Sequence, residues 1–99
     1  MIIERMIQQI IPGKWADLEA IDPKFNAVEV RLGFPPKRRY RCMVGGPSTD
    51  TLIIEREWES LAVMEAVYTK AFADPEHQAL NAESISIIAS MQTELYMPL

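Results

Sequence analysis

Three carboxylates and one arginine lie on segments that alternate in polarity and could share one face of a β-sheet. Carboxylates crowded into a partly enclosed space acquire shifted pKa values, which suits them to general acid or base catalysis. The four residues on this predicted face are Glu4, Arg41, Glu55 and Glu94. The candidate catalytic side chains are three of them, Arg41, Glu55 and Glu94, together with the only histidine, His77.

Arg41 belongs to the one basic cluster of the chain, the segment KRRYR at positions 37–41. Arg39 and Arg41 share a strand face and could bind a carboxylate or another anion, because a guanidinium presents a planar pair of donors. They could instead pair with Glu55 and Glu57 across a hairpin, where opposite charges stabilise modestly. The second interpretation is preferred.

A second candidate site consists of aromatic and methionine residues predicted to lie between the sheet and the helices. Side chains of this kind at helical spacing form either a packed core or the wall of an apolar ligand pocket, and both interpretations stay open. The residues are Trp15, Tyr40, Trp58, Met64, Tyr68 and Phe72.

Other common sites are not expected. A single cysteine, Cys42, excludes an intrachain disulfide and a cysteine-built metal site, and on a strand it behaves as a small hydrophobic residue. Gly45-Gly46 lacks the Lys-Ser/Thr that completes a phosphate loop. No His, Asp or Glu spacing predicts a metal site.

The composition predicts one soluble domain over residues 1–99. A net charge of −4 and a pI near 4.9 disfavour nucleic-acid binding, which depends on basic side chains. Glu4 and Arg5 interrupt the apolar start, so neither a signal peptide nor a membrane span is predicted. We expect a cytoplasmic protein.

The elements that must position these residues follow from periodicity and breakers. A mixed strand covers residues 1–11, Pro12 is placed at the first position of a helix that extends to Leu32, and Asp22-Pro23 should kink or restart it. Strands at 38–44 and 51–58 flank the turn GGPSTD. A helix capped by Ser60 should restart at Asp74-Pro75, and residues 87–99 form the last strand.

The order β-α-β-β-α-β predicts a ferredoxin-like α+β fold, with a four-stranded antiparallel sheet and two helices on one face. The face predicted to pack against the helices carries Ile3, Ile7, Tyr40, Cys42, Val44, Leu52, Ile54, Thr93 and Leu95. The opposite face then carries an apolar patch that a partner should cover: Met6, Ile10, Met43, Ile53 and Tyr96. We expect a homodimer through this open face.

Several short motifs resemble the dimeric α/β-barrel superfamily, and within it proteins similar to the NIPSNAP group. They are Gly13-Lys14 at the start of the first helix, GFPPKRRY closing that helix, IIEREWES at the end of the third strand and ADPEHQAL in the broken second helix. The resemblance implies a ferredoxin-like dimer. It leaves the activity open, because the superfamily includes cofactor-free monooxygenases, isomerases and haem-binding or haem-degrading proteins.

Comparison with the haem-degrading members places their proximal histidine on His77, a suitable iron ligand. Their catalytic asparagine falls near Ile7 and Gln8, and their tryptophan falls on Val67, so haem turnover is not expected even if haem binds. The preferred interpretation of His77 is a surface residue in the first turn of a helix.

The leading hypothesis is a protein that binds, or transforms without a cofactor, a small apolar molecule, as a monooxygenase or isomerase would. The alternatives are a non-catalytic homodimeric binding module and a haem-binding protein that uses His77.

Overall fold

The computed structural model describes all 99 residues. Its elements are β1 (Ile2–Ile10), α1 (Trp15–Leu32), β2 (Lys37–Arg41), β3 (Thr51–Trp58), α2 (Leu61–Ala73), α3 (Pro75–Ser84) and β4 (Ile88–Tyr96). The strands form one antiparallel sheet in the order β2-β3-β1-β4. The predicted ferredoxin-like plan is therefore confirmed. No helix has the length and apolarity needed to cross a bilayer.

The break between α2 and α3 lies where the sequence predicts it. The Ser60 hydroxyl accepts a hydrogen bond from the Val63 N–H (3.2 Å) and caps α2. The Asp74 carboxylate accepts one from the His77 N–H (2.9 Å) and caps α3, with Pro75 in the first turn. A proline has no N–H to leave unpaired at that position, so the helix ends and restarts there.

Helix α1 differs from the prediction at both of its prolines. It begins at Trp15 rather than at Pro12, and it continues through Pro23 without restarting. Asp22 cannot cap a new helix, because its carboxylate pairs with the Lys37 ammonium at 2.9 Å. The helix ends at Gly33, whose φ of 93° is the left-handed conformation that glycine adopts without strain.

The predicted faces of β1 and β2 were wrong. Glu4 and Gln8 point toward the helices and are buried, whereas Ile3 and Ile7 lie on the open face. Isoleucines occupy both parities of β1, so hydrophobicity does not define its inner face, and the inner polar residues are stabilised by tertiary partners. Tyr40 also lies on the open face, paired in register with Ile53.

The remaining strand predictions are partly confirmed. Leu52, Ile54, Thr93 and Leu95 face the helices as predicted, but Met6 and Ile10 do so as well, contrary to prediction. Strand β2 ends at Arg41, so Cys42 and Val44 extend no strand, and Met43 and Val44 are exposed.

Two apolar clusters join the sheet to the helices. The larger cluster contains Ile10, Leu18, Ile21, Val28, Leu52, Ile54, Leu80 and Ile87. The smaller one contains Phe34, Trp58, Val67 and Ala71. A cavity remains between these clusters and β4.

Candidate functional site

The cavity between the sheet and the helices has a volume of about 550 Å³, and 14 of its 24 lining residues are hydrophobic. Met6 and Leu95 contribute from the sheet, Met64 and Phe72 from α2, and Phe25 from α1. Leu95 and Phe72 are exposed at 46% and 65%, so the cavity opens to solvent between β4 and α2. An apolar cavity of this size, with a few inward polar groups, is typical of a small-molecule site.

The most distinctive polar group in the cavity wall is the Glu4 carboxylate, which is 3% exposed. The Trp58 indole N–H donates a hydrogen bond to Oε1 at 3.0 Å, and the Tyr68 hydroxyl donates one to Oε2 at 2.5 Å. A buried carboxylate without partners is costly, so these two donors are what allow Glu4 to stay inside. Strand β1 carries Glu4, the end of β3 carries Trp58, and α2 carries Tyr68.

The pKa of Tyr68 lies well above the ordinary tyrosine value. Burial is the main cause, and the hydrogen bond to Glu4 adds to it, because a tyrosinate beside a carboxylate is unfavourable. Tyr68 therefore stays protonated and donates to Glu4 throughout the physiological pH range.

A chain of ion pairs continues from Glu4 under α1. The Arg56 guanidinium lies 4.0 Å from Glu4 Oε1 and 2.8 Å from Glu29 Oε2, over the ring of Phe34. Lys37 Nζ then contacts Glu29 at 3.0 Å and Asp22 at 2.9 Å. Asp22 also contacts Arg39 at 3.4 Å, and Arg39 pairs with Glu19. The whole chain of ion pairs therefore joins four carboxylates to three cations and carries one net negative charge.

His77 lies inside this site rather than on the surface, so its predicted exposure was wrong. The residue is 7% exposed, and its ring is nearly parallel to Phe34 (centroids 6.3 Å apart) and edge-on to Phe25 (6.0 Å). Asn81 Nδ2 approaches Nδ1 at 3.1 Å, which leaves the ring proton on Nε2. Burial lowers the pKa of His77, so the ring is neutral near pH 7.

The residues present do not fit a haem. The imidazole is packed between two aromatic rings, and a porphyrin above it would have to displace that packing. Ile7 lies on the open face and Val67 is buried in the smaller cluster, so neither supplies the polar groups of haem-degrading enzymes.

The candidate catalytic residues predicted from the sequence are not brought together. Glu55 and Glu94 lie on the open face, flanking Arg5 in register. Arg41 lies on the helix side, where its guanidinium covers the Trp15 ring at 4.0 Å. Of the face predicted for catalysis, only Glu4 reaches the cavity.

The predicted pairing of Arg39 and Arg41 with Glu55 and Glu57 was also wrong. Arg39 contacts Glu19 of α1 at 2.6 Å, and Arg41 contacts the Thr49 carbonyl (3.1 Å). The inward parity of β2 turns both arginines toward α1. Because these guanidinium groups already have partners, neither is free to clamp an anion.

The structure brings three of the six residues of the predicted aromatic pocket together around the cavity. Met64, Tyr68 and Phe72 line the cavity, whereas Trp58 lies behind Glu4 as a donor. Trp15 donates to Asp50 at 2.9 Å outside the cavity, and Tyr40 faces the other side of the sheet.

Sequence reasoning missed the polar lining residues Gln8, Asn81, Lys37 and Asp22. A signal for one of them was present, since Glu4 and Gln8 are four residues apart on the same parity of a largely apolar strand. The other three lie on separate elements, and their sequence neighbours give no indication of a common site.

The fold and cavity together define a ferredoxin-like α+β protein with a partly enclosed cavity between sheet and helices. No protein-family model matches the chain, and no curated protein is similar to it. Among solved structures, a NIPSNAP-domain protein from Burkholderia xenovorans superposes with a TM-score of 0.88 at 15% identity, covering 100% of this chain and 95% of that one.

A NIPSNAP family protein from Agrobacterium tumefaciens has a TM-score of 0.84 at 22% identity, covering 99% of this chain and 85% of that one. A protein from Nitrosomonas europaea, provisionally assigned to antibiotic biosynthesis monooxygenases, has a TM-score of 0.67 at 8% identity and covers 100% and 99%. These likenesses are of fold, and they confirm the resemblance to NIPSNAP-like structures that the motifs predict.

Proposed function

We propose that this chain binds a small, largely apolar, uncharged molecule in the cavity between the sheet and the helices. The observation that carries the proposal is the Glu4 carboxylate, held by Trp58 and Tyr68 at the wall of a mainly apolar cavity. Core packing alone would favour an apolar side chain at this position, because burying a charged group is costly.

The charges of the wall define the ligand further. An anionic ligand would enter a site that already carries one net negative charge, and Coulomb repulsion is strong in a poorly hydrated cavity. Glu4 accepts hydrogen bonds, whereas the Nε2–H of His77 has no hydrogen-bond partner within the chain and can donate one. A neutral apolar molecule with one hydroxyl or similar donor suits this combination.

As an enzyme, the protein would act without a cofactor, by isomerisation or monooxygenation, with Glu4 as proton acceptor. The position of Glu4 supports this form, as does the fold it shares with the Nitrosomonas europaea protein. The second candidate is a non-catalytic binding module. It is supported by the partners that Glu4, Glu29 and Lys37 all have within the chain, because charged groups that only stabilise a fold are paired in the same way.

The proposal includes the assembly and location of the protein. Residues 1–99 act as a single domain, and two copies pair through the open sheet face, where apolar side chains surround a row of charges. The lone cysteine, with no disulfide, suits the reducing cytoplasm.

Two naphthalene dyes of nearly the same size provide the test. N-phenyl-1-naphthylamine is neutral, and 8-anilinonaphthalene-1-sulfonate adds one negative charge. We expect saturable fluorescence enhancement with the neutral dye and binding at least about tenfold weaker for the sulfonate. Glu4→Gln should reduce this discrimination, and the control Glu59→Gln, which removes an exposed carboxylate, should leave it unchanged.

Equal binding of both dyes would refute the proposed preference for an uncharged ligand. If the neutral dye does not bind, the proposal that the cavity is a binding site is refuted. Native mass spectrometry of the freshly purified protein separates the assembly from the ligand, because it records a dimer and any molecule retained from the cell independently.

Haem binding through His77 is the weakest alternative. If purified protein shows a Soret band after haem is added, His77→Ala should leave that band unchanged, because the ring is packed against Phe34 and Phe25. Loss of the band in His77→Ala would contradict this packing, because the ring would then have to be free to bind iron.

A further inference from the structure

The Gln8 amide is a buried polar group in the cavity wall that the chain itself leaves largely unpaired. Gln8 lies on the inner face of β1, is 6% exposed and lines the cavity. Its one side-chain hydrogen bond runs from Nε2 to the sulfur of Met91 at 3.5 Å. A thioether sulfur is a weak acceptor, and the second N–H and the carbonyl Oε1 have no partner in the chain. Burying an amide in this state is costly, and a bound molecule that pairs with it removes the cost.

The adjacent Gln9 shows the contacts of a glutamine that stabilises the fold. Its Oε1 accepts hydrogen bonds from the Ser48 hydroxyl at 3.2 Å and from the Thr51 hydroxyl at 3.1 Å, and its side chain does not line the cavity. Gln9 therefore links β1 to β3 and to the turn before it. Gln8 makes no such link, so the stability of the fold does not account for a buried amide at position 8.

Gln8 and Glu4 lie at two separate polar ends of the cavity. Four residues along a strand span about 13 Å, and the inward residue halfway between them is the apolar Met6. His77 belongs to the Glu4 end, because its ring packs against Phe34, which also packs against both hydrogen-bond donors of Glu4. A ligand held at the Glu4 end therefore leaves the Gln8 amide free for a second polar group.

We infer that Gln8 binds an uncharged group with a hydrogen-bond donor and an acceptor side by side, as in the N–H and C=O of a cyclic amide. The glutamine amide offers an N–H and a carbonyl in one plane, and a cyclic amide presents the complementary pair. Nε2–H then donates to the ligand carbonyl, and the ligand N–H donates to Oε1. Gln8 is thus a specificity-determining residue of the cavity, and this inference rests on the proposed function.

An acceptor without an adjacent donor should bind less well at this position. A ligand that offers only oxygen atoms pairs with Nε2–H, but it leaves Oε1 buried without a donor and facing another lone pair. A buried acceptor in that state costs about 1–3 kcal/mol. Gln8 should therefore select cyclic amides over the corresponding esters.

Two bicyclic molecules, 2-quinolone and coumarin, provide the matched probes. They have the same size and the same carbonyl, but coumarin has a ring oxygen where 2-quinolone has its N–H. We expect 2-quinolone to bind about tenfold more tightly, because only its N–H pairs with Oε1. Equilibrium dialysis measures the binding of each probe, and displacement by N-phenyl-1-naphthylamine shows that the probe occupies the cavity.

The variant Gln8→Met removes the amide and keeps the length of the side chain. It should reduce the preference for 2-quinolone to below about twofold. Its midpoint of urea unfolding should not fall, because the amide has only a weak partner to lose.

The matched control is Gln9→Met, which makes the same change one residue away and outside the cavity. It should keep the preference for 2-quinolone. Its urea midpoint should fall, because the hydrogen bonds from Ser48 and Thr51 are lost.

The inference and the proposed function can fail separately. If N-phenyl-1-naphthylamine binds, but the two probes bind equally or not at all, the inference alone is refuted. A preference for 2-quinolone that persists in Gln8→Met would place the selection at another residue and would also refute it. A urea midpoint that falls as far in Gln8→Met as in Gln9→Met would make Gln8 a structural residue. If none of the three molecules binds, the proposed function and the inference are refuted together.

Discussion

Replacing Tyr68 by phenylalanine should destabilise the protein far more than loss of a hydroxyl group usually does. The Tyr68 hydroxyl donates to Glu4, which is 3% exposed and has one other close donor, Trp58. A hydrogen bond to a charged group contributes about 1.5–3 kcal/mol. We therefore expect the free energy of unfolding to fall by that amount.

Tyr40→Phe is a matched control, because Tyr40 lies on the open face, is 48% exposed and makes no side-chain hydrogen bond. Its cost should be below about 0.5 kcal/mol, because the ring is kept and no hydrogen bond within the chain is lost. Equilibrium urea unfolding at one fixed protein concentration measures both variants, since assembly makes stability concentration-dependent. With a urea dependence of about 1–3 kcal/mol/M, the Tyr68→Phe midpoint should shift by roughly 1 M.

A double-mutant cycle isolates the interaction. In a Glu4→Gln background the acceptor is neutral, so Tyr68→Phe should cost only about 0.5–1.5 kcal/mol. If Tyr68→Phe costs no more than Tyr40→Phe, the Glu4 carboxylate does not depend on Tyr68, and the proposed stabilisation of the buried charge is refuted.

Three further predictions follow from burial. Trp58→Ala should cost about 3–5 kcal/mol, because Trp58 is 1% exposed, while Phe72→Ala, at 65% exposure, should cost below about 1 kcal/mol; equal costs in urea unfolding would contradict the core assignment. The NMR titration of His77, the only histidine, should give a pKa below the ordinary 6.5, because burial disfavours the charged ring. The unfolded chain then binds the proton more readily than the native one, so the stability that His77 contributes is complete above about pH 6.5 and is lost as the pH falls through the lowered pKa. The free energy of unfolding, plotted against pH between about pH 7 and 5.5, should have a shallower slope in His77→Gln than in the unaltered chain. An unchanged slope would show that the ring is not buried.

The sequence by itself determined the order of the elements and several helix ends, because those depend on local signals, whereas the start of α1 and the end of β2 were misplaced. Ser60 and Asp74 cap helices through hydrogen bonds to residues three positions away, and Gly33 ends α1 through its own backbone conformation. Pro75 reinforces the break between α2 and α3. Such contacts form between neighbours in the chain and can be recognised without the rest of the fold.

The faces of β1 could not be determined in this way. Isoleucines occupy both parities, and the inner parity also carries Glu4 and Gln8, which hydrophobicity would place outside. Tyr40 was assigned to the wrong face for the same reason. It alternates along β2 with Arg39 and Arg41, and in the structure these arginines point inward while Tyr40 points outward. Whether a polar side chain can be buried depends on partners that only the tertiary structure supplies.

The site itself is decided almost entirely by tertiary structure. Trp58 and Tyr68 donate to Glu4 across 54 and 64 residues of sequence, and they come from β3 and α2. The sequence predicted both as pocket residues and placed Glu4 on a functional face, yet it grouped Glu4 with Glu55, which lies on the opposite side of the sheet. Residue types indicated which chemistry was available. Which groups meet was decided by the packing of β1 against β3 and α2, because buried polar groups find their partners on distant segments of the chain.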